Sequence, residues 1–306
     1  MSKTIAIIDL GTNTCNLLIA SCQERNYQIL YQGKEVVKLG KNGIDKNMLM
    51  ADGLERAVQA IQKHQERIAN FDVAEILVLA TSAVREAGNK EWFREELEQQ
   101  TGLNLHIISG EKEADLIFKG VKLAFGEIED YSLILDIGGG SNEFILTQGN
   151  NAVWKQSFPL GMARIIEKFP ISNPITSEEI VQIRNYFDDQ LDALWKRADK
   201  ISIRNLIGCS GAFDSLADLI DQTDPGTKKR TKQYISTDDF YRIYQMLVKS
   251  TTAERIAMKG LESIRIEMIV SSVLFIQLIV EKLKIRKIYQ TDYALREGVL
   301  FEHIFN

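Results

Sequence analysis

Short apolar blocks bounded by Gly, Asn, Asp or Lys alternate along this chain with longer stretches in which apolar residues recur every three or four positions. The short blocks predict strands over residues 4–10, 16–21, 27–37, 76–80, 103–108, 132–136, 143–148, 152–158, 205–207 and 287–289. The longer stretches predict helices over 46–68, 90–101, 111–125, 177–197, 212–221, 237–249 and 266–283. Strands alternating with helices in this way define an α/β protein with helices packed on mixed sheets.

One pattern occurs twice. IAIIDLGTNTCNLLIA, from Ile5, aligns with LILDIGGGSNEFILT, from Leu133, as an apolar strand, an Asp, a Gly-containing polar turn ending in a hydroxyl, and a second apolar strand. Asp9 matches Asp136, Gly11 matches Gly138, Thr14 matches Ser141 and Asn16 matches Glu143. Two copies of one hairpin, well over a hundred residues apart, imply two domains of the same fold facing each other. The boundary is expected in 125–131, giving domains 1–125 and 126–306, with a C-terminal helix near 294–306 packing back on the first.

Each turn presents several backbone N–H groups to one point, an arrangement that cradles anions. Gly11, Thr12, Asn13 and Thr14 form one such loop, and Gly138, Gly139, Gly140 and Ser141 the other. A single copy reads equally well as a tight β-turn. Two copies favour phosphate held between the domains.

Composition narrows the chemistry. At 306 residues, 45% hydrophobic and 26% charged, the chain has enough apolar material for two cores. No apolar run approaches the ~18 residues of a membrane span, and the start of the chain lacks the features of a signal peptide, so a cytoplasmic protein without membrane contact is expected. The net charge of −5 argues against nucleic-acid binding. Cys15, Cys22 and Cys209 form no CxxC pair and read as reduced thiols, and His64, His106 and His303 lack ligand spacing. Any metal is therefore expected to be hard and oxygen-bound.

DLGTNT from Asp9, ATSAVREAGN from Ala80, ISGEKEA from Ile108, DIGGGSNE from Asp136, LGMARI from Leu160 and YALREG from Tyr293 resemble, in order, the signatures of the Ppx/GppA phosphatases. That family belongs to the superfamily of actin, the sugar kinases and the heat-shock ATPases. The resemblance implies two actin-like (RNase H-like) α/β domains with an interdomain cleft, and an exopolyphosphatase releasing orthophosphate with Mg²⁺ or Mn²⁺. Carried over position by position, it places the catalytic base on Glu113, whose carboxylate would sit in the first turn of a helix capped by Ser109 or Gly110. Arg85 would aim its guanidinium at phosphate oxygens, with Ser82 adding a hydroxyl. Asp136 and Glu143 become the expected metal acids, with Asp9 a further candidate. Gly208, Ser210 and Gly211 resemble a nucleotide or phosphate loop, and Arg296 reads as structural.

Substrates implied are inorganic polyphosphate or, by the same chemistry, guanosine pentaphosphate. A homodimer is the assembly considered. The basic run TKKRTK, from Thr227, is expected on an exposed loop, where it could guide a polyanion. Three features depart from the family pattern, the first being Thr12, Thr14 and Asn142 where Ser, Ser and Thr are frequent. Lys112 stands beside Glu113 where many members carry an acid, and the chain stops soon after LREG, which points to short polyphosphate as the better substrate. The rival readings are a nucleotide- or phosphate-sensing module that has lost hydrolysis, and a sugar kinase.

Overall fold

The structure is a computed structural model and describes residues 3–305. The first sheet runs in the order β3-β2-β1-β4-β5, from β1 (Lys3–Leu10), β2 (Thr14–Gln23), β3 (Asn26–Val36), β4 (Glu75–Ala80) and β5 (Leu105–Ile107). The second has the order β10-β11-β9-β6-β7-β8, from β6 (Tyr131–Ile137), β7 (Asn142–Gln148), β8 (Asn151–Phe158), β9 (Asn205–Cys209), β10 (Gln233–Ile235) and β11 (Lys287–Thr291). In each, three antiparallel strands continue into parallel ones, since β1 pairs parallel with β4 and β6 parallel with β9. These are the two actin-like domains.

Alternation along the central strands decides what covers each face. In β1, Ala6, Ile8 and Leu10 face a core closed by α1 (Ala51–Ile68) and α3 (Lys90–Thr101), while Ile5 and Ile7 face the other way. In β6, Leu133, Leu135 and Ile137 face a second core under α6 (Ser177–Gln190), α9 (Thr237–Lys249) and α11 (Ile269–Lys282), and Ile134 is turned away. The turned-away residues of both sheets meet in a third core with α4 (Gly110–Phe125) and α12 (Leu295–Phe305). These two helices approach so closely that a Cβ on Gly298 would overlap the backbone of α4, and one on Gly120 the backbone of Ala294 just ahead of α12. One helix pair thus forms a layer common to both sheets, and Glu113 stands at its edge.

Two predicted helices need correction. The one read over 46–68 begins only at Ala51, because Asn47 takes a left-handed conformation (φ 48°) and Met50 is extended. The one read over 177–197 breaks at Leu191 into α6 and Asp192–Ala198. Short helices at Ser82–Arg85, Met162–Lys168 and Thr252–Ala257, too brief for a periodic signal, were not predicted. No described helix is long and apolar enough to cross a membrane. Among the three cysteines, all free, Cys15 and Cys209 are buried.

Candidate active site

The repeated pattern folds into two superposable hairpins. Asp9 pairs across strands with Asn16, and Asp136 with Glu143. Each turn is closed by the same bond, Gly11 N–H to Thr14 O at 2.9 Å and Gly138 N–H to Ser141 O at 3.0 Å. The first turn of the helix Met162–Lys168 secures the second loop from behind, with the N–H groups of Met162 and Ala163 donating to the carbonyls of Gly138 and Gly139 at 2.9 Å each. That leaves the N–H groups of Thr12, Asn13, Gly139, Gly140 and Ser141 without an acceptor among the described residues. Unpaired N–H groups in a half-buried loop are costly unless a ligand or water accepts from them, so the two loops form an anion cradle. Gly140 has to be glycine here, since a Cβ would lie 2.6 Å from both Ser82 Oγ and Thr12 Oγ1.

The loops face one cleft of about 190 Å³. It is lined by the proposed phosphate residues of both loops, by Ser82, Ser210 and Gly211, and by Asp9, Glu113, Asp136 and Glu143. Ser82 Oγ is buried with no hydrogen-bond partner, a hydroxyl still to be engaged. Two proposed residues lie elsewhere. Gly208 is turned from the cleft, where a Cβ would overlap the Phe213 ring, so it is required by packing. Arg85 stands behind the cleft wall. Its Nη1 donates to Glu113 Oε2 at 2.6 Å and to Ile108 O at 3.3 Å, its Nη2 to Ser141 Oγ at 3.5 Å, and its Nε to Glu86 Oε1 at 3.0 Å.

Ser109 caps α4, its hydroxyl accepting from Lys112 N–H at 3.1 Å, which frees the Glu113 carboxylate from any capping role. Burial raises the Glu113 carboxyl well above the ordinary range, repulsion from Glu143 adds to this, and Arg85 opposes it. Asp136 is pushed up to about 8 by burial and by Glu113, against a 3.1 Å bond from Ser210 Oγ. Glu143 rises to about 7 by burial and by Asp136, although Ser141 and Ser157 donate to its Oε1 at 2.6 and 2.7 Å. Asp9 rises to about 6 through burial, with Arg296 and a 3.3 Å bond from Asn16 opposing.

Six carboxylates and three cations line this cleft. Such an excess repels a polyanion unless protons or a metal cation offset it. Among the described residues no group of three His, Cys, Asp or Glu side chains could hold a metal ion. The acids on the cleft wall nearest the loops, Asp9, Asp136 and Glu143, offer carboxylate oxygens only, the donor type that Mg²⁺ takes alongside water and phosphate.

Local sequence did not point to Lys34, Arg265, Asp214 or Asp292, which also line the cleft. Arg265 packs against Gly211, and its Nε is buried without a partner. These residues sit in no motif, and only folding brings them to the glycine loops. Arg296 has both roles, donating to Leu17 O at 3.2 Å while lining the cleft. Lys112 points away, pairing with Glu302 at 2.6 Å. The TKKRTK run lies on an exposed loop as expected, except at Arg230, and only part of its charge is free. Arg230 is buried between Asp218 and Asp221 at 2.8 and 2.9 Å, and Lys228 pairs with Asp221 at 2.6 Å.

The fold and the cleft define an actin-like α/β protein with an oxyanion cradle between its domains. The Ppx/GppA phosphatase family matches over residues 18–306, and the chain belongs to that family. It is similar to the crystal structure of an exopolyphosphatase from Cytophaga hutchinsonii, with 34% identity, a TM-score of 0.94 and coverage of 99% of this chain and 98% of that one. It is 29% identical over 288 residues to a bifunctional 3-dehydroquinate synthase/phosphatase of Fusobacterium nucleatum, covering 90% of this chain but 43% of that protein. A guanosine-5'-triphosphate,3'-diphosphate pyrophosphatase of Pseudoalteromonas atlantica is 26% identical over 98% of this chain and 58% of its own length. The chain thus spans about half the length of these two relatives.

Proposed function

We propose that this chain is an exopolyphosphatase that removes the terminal phosphoryl group of inorganic polyphosphate and releases orthophosphate. The observation that carries the reading is the position of Glu113, a buried carboxylate held by Arg85 on the cleft that both glycine loops line. Ionised, Glu113 takes a proton from the attacking water as that water bonds to the terminal phosphorus and the bridging P–O bond breaks, the electron pair leaving on the oxygen of the shortened polyphosphate. The free N–H groups of the two loops and the Ser82 hydroxyl receive the oxygens of the transferred group. Arg85 keeps Glu113 oriented and offsets part of its charge. Asp136 and Glu143, with Asp9 beside them, would hold Mg²⁺ or Mn²⁺, which when bound supplies positive charge against the developing oxyanions.

Polyphosphate is preferred to guanosine pentaphosphate because, among the described residues, no aromatic ring that could stack on a purine lines the cleft or the cavity next to it. Phe213, the ring nearest the Gly208–Gly211 turn, is buried in the second core. The exopolyphosphatase relative points the same way, and the pyrophosphatase relative keeps the nucleotide as the second substrate to test. The experiment is magnesium-dependent orthophosphate release from medium-chain polyphosphate and from guanosine pentaphosphate, side by side. Glu113→Gln is expected to reduce release from polyphosphate by at least about a hundredfold. Equal release by the variant would remove the mechanism, and release from the nucleotide alone would transfer the activity to it.

A further inference from the structure

A second cavity adjoins the cleft, sharing Asn16, Lys34, Gly211, Asp214, Asp292 and Arg296 with it. Lys34 stands at the junction. It belongs to β3 of the first sheet, and its Nζ reaches across to both carboxylate oxygens of Glu262, at 2.7 and 2.8 Å, in the segment ahead of α11. The pair therefore bridges the two domains where the cavities meet. Burial raises the carboxyl of Asp214, on the cleft wall, to about 6 and Asp292 adds to this, while Gln290, Arg265 and, least of these, Lys34 oppose it. Lys34 and Glu262 are 41% and 27% exposed, so the pair is a weak one that an incoming dianion can displace.

Of the other basic groups lining the second cavity, Lys229 is exposed and has no side-chain partner among the described residues, and the rest are committed. Lys228 and Arg230 are bound by Asp218 and Asp221, and Arg296 is anchored on Leu17 O. Lys34 differs from these because its one carboxylate partner among the described residues belongs to the opposite domain and is partly exposed.

We propose that Lys34 is a binding site for the phosphates behind the scissile one, and that Glu262 occupies this lysine until a polyanionic substrate displaces it. The proposal rests on the polyphosphate reading and extends it. Glu262 is then a substrate mimic that selects for chains long enough to reach from the glycine loops to the junction. A single orthophosphate in the cradle leaves the pair intact.

The test is calorimetric binding of inorganic tripolyphosphate, with magnesium, to the full chain carrying Glu113→Gln to prevent turnover. Adding Glu262→Gln should tighten binding about three- to fivefold, the value of one exposed ion pair. Adding Lys34→Met should weaken it about tenfold, and Glu262→Gln should then have no effect. Orthophosphate binding should stay the same in every variant. Raising salt from about 0.05 to 0.5 M should shrink the Glu262→Gln gain. A strut that only joins the domains predicts weaker binding from both substitutions, and that result, or no change from either, overturns the proposal. Phosphate release by the parent chain is scored separately. Its absence removes the exopolyphosphatase reading, whereas opposite shifts in tripolyphosphate affinity would still establish the Lys34 site.

Discussion

The β1–β2 and β6–β7 hairpins have the same register and the same closing bond, yet they differ in what they bring to the cleft. Across from Asp9 stands neutral Asn16, which donates to it; across from Asp136 stands Glu143, which repels it. The first hairpin therefore offers a moderately perturbed acid near 6, and the second a pair pushed up to about 7 and 8. Backbone cradles were duplicated, but acidity is concentrated on one side. This asymmetry leads us to place the metal with the second hairpin and to make Asp9 its accessory.

The largest expected effect comes from exchanging that difference. Glu143→Asn should lower magnesium-dependent phosphate release by about a hundredfold, while Asn16→Gln should cost less than about threefold. Equal losses would show that the hairpins share the metal evenly.

Stability against pH should sharpen the same contrast. A carboxyl whose folded pKa lies above its unfolded value holds its proton longer in the folded state. Its stabilising contribution is complete below the unfolded pKa and is lost as pH rises through the folded one. For Asp136 and Glu143 that window runs from about 4 to about 8. Without divalent cations the melting temperature should fall by roughly 5 °C or more between pH 5 and 8.5. Magnesium should restore it at pH 8.5 and do little at pH 5. Asp136→Asn should flatten the profile more than Asp9→Asn.

The loops themselves differ in tightness. A Cβ on Gly138 would meet Ser141 O at 2.6 Å, whereas one on Gly11 would meet Thr14 O at 3.2 Å. Gly138→Ala should cost about 1–3 kcal/mol in denaturant unfolding and Gly11→Ala less than about 1 kcal/mol. The smallest effect should follow from Lys112→Met. Its charge is paired with Glu302 outside the cleft, so stability should change by no more than about 0.5 kcal/mol and phosphate release by less than about twofold.

Much of the site was legible in the sequence because the glycine turns are local objects. Asp9 to Asn16 and Asp136 to Glu143 are each a strand, a turn and a strand, and their chemistry follows from residues a few positions apart. Glu113 was singled out by its resemblance to the family's motif, and its place after Ser109, in the first turn of α4, agrees with that. Arg85 shows the limit. Its motif is visible, but its aim depends on Glu113 and Ser141, residues 28 and 56 positions away, and folding directs it to the Glu113 carboxylate instead of into the cleft.

The chain's own pattern thus determined the fold class, the repeated hairpins and the character of the loops, because hydrophobic periodicity and glycine turns act over short distances. Tertiary structure alone decided which charges meet. Lys34 and Glu262, 228 positions apart, are joined only when the two domains share the layer of α4 and α12. Within the basic run from Thr227, Arg230 alone was drawn back into its own domain, by Asp218 and Asp221. Charge pairing is a matter of distance in space and of burial, and neither is written in the local order of residues.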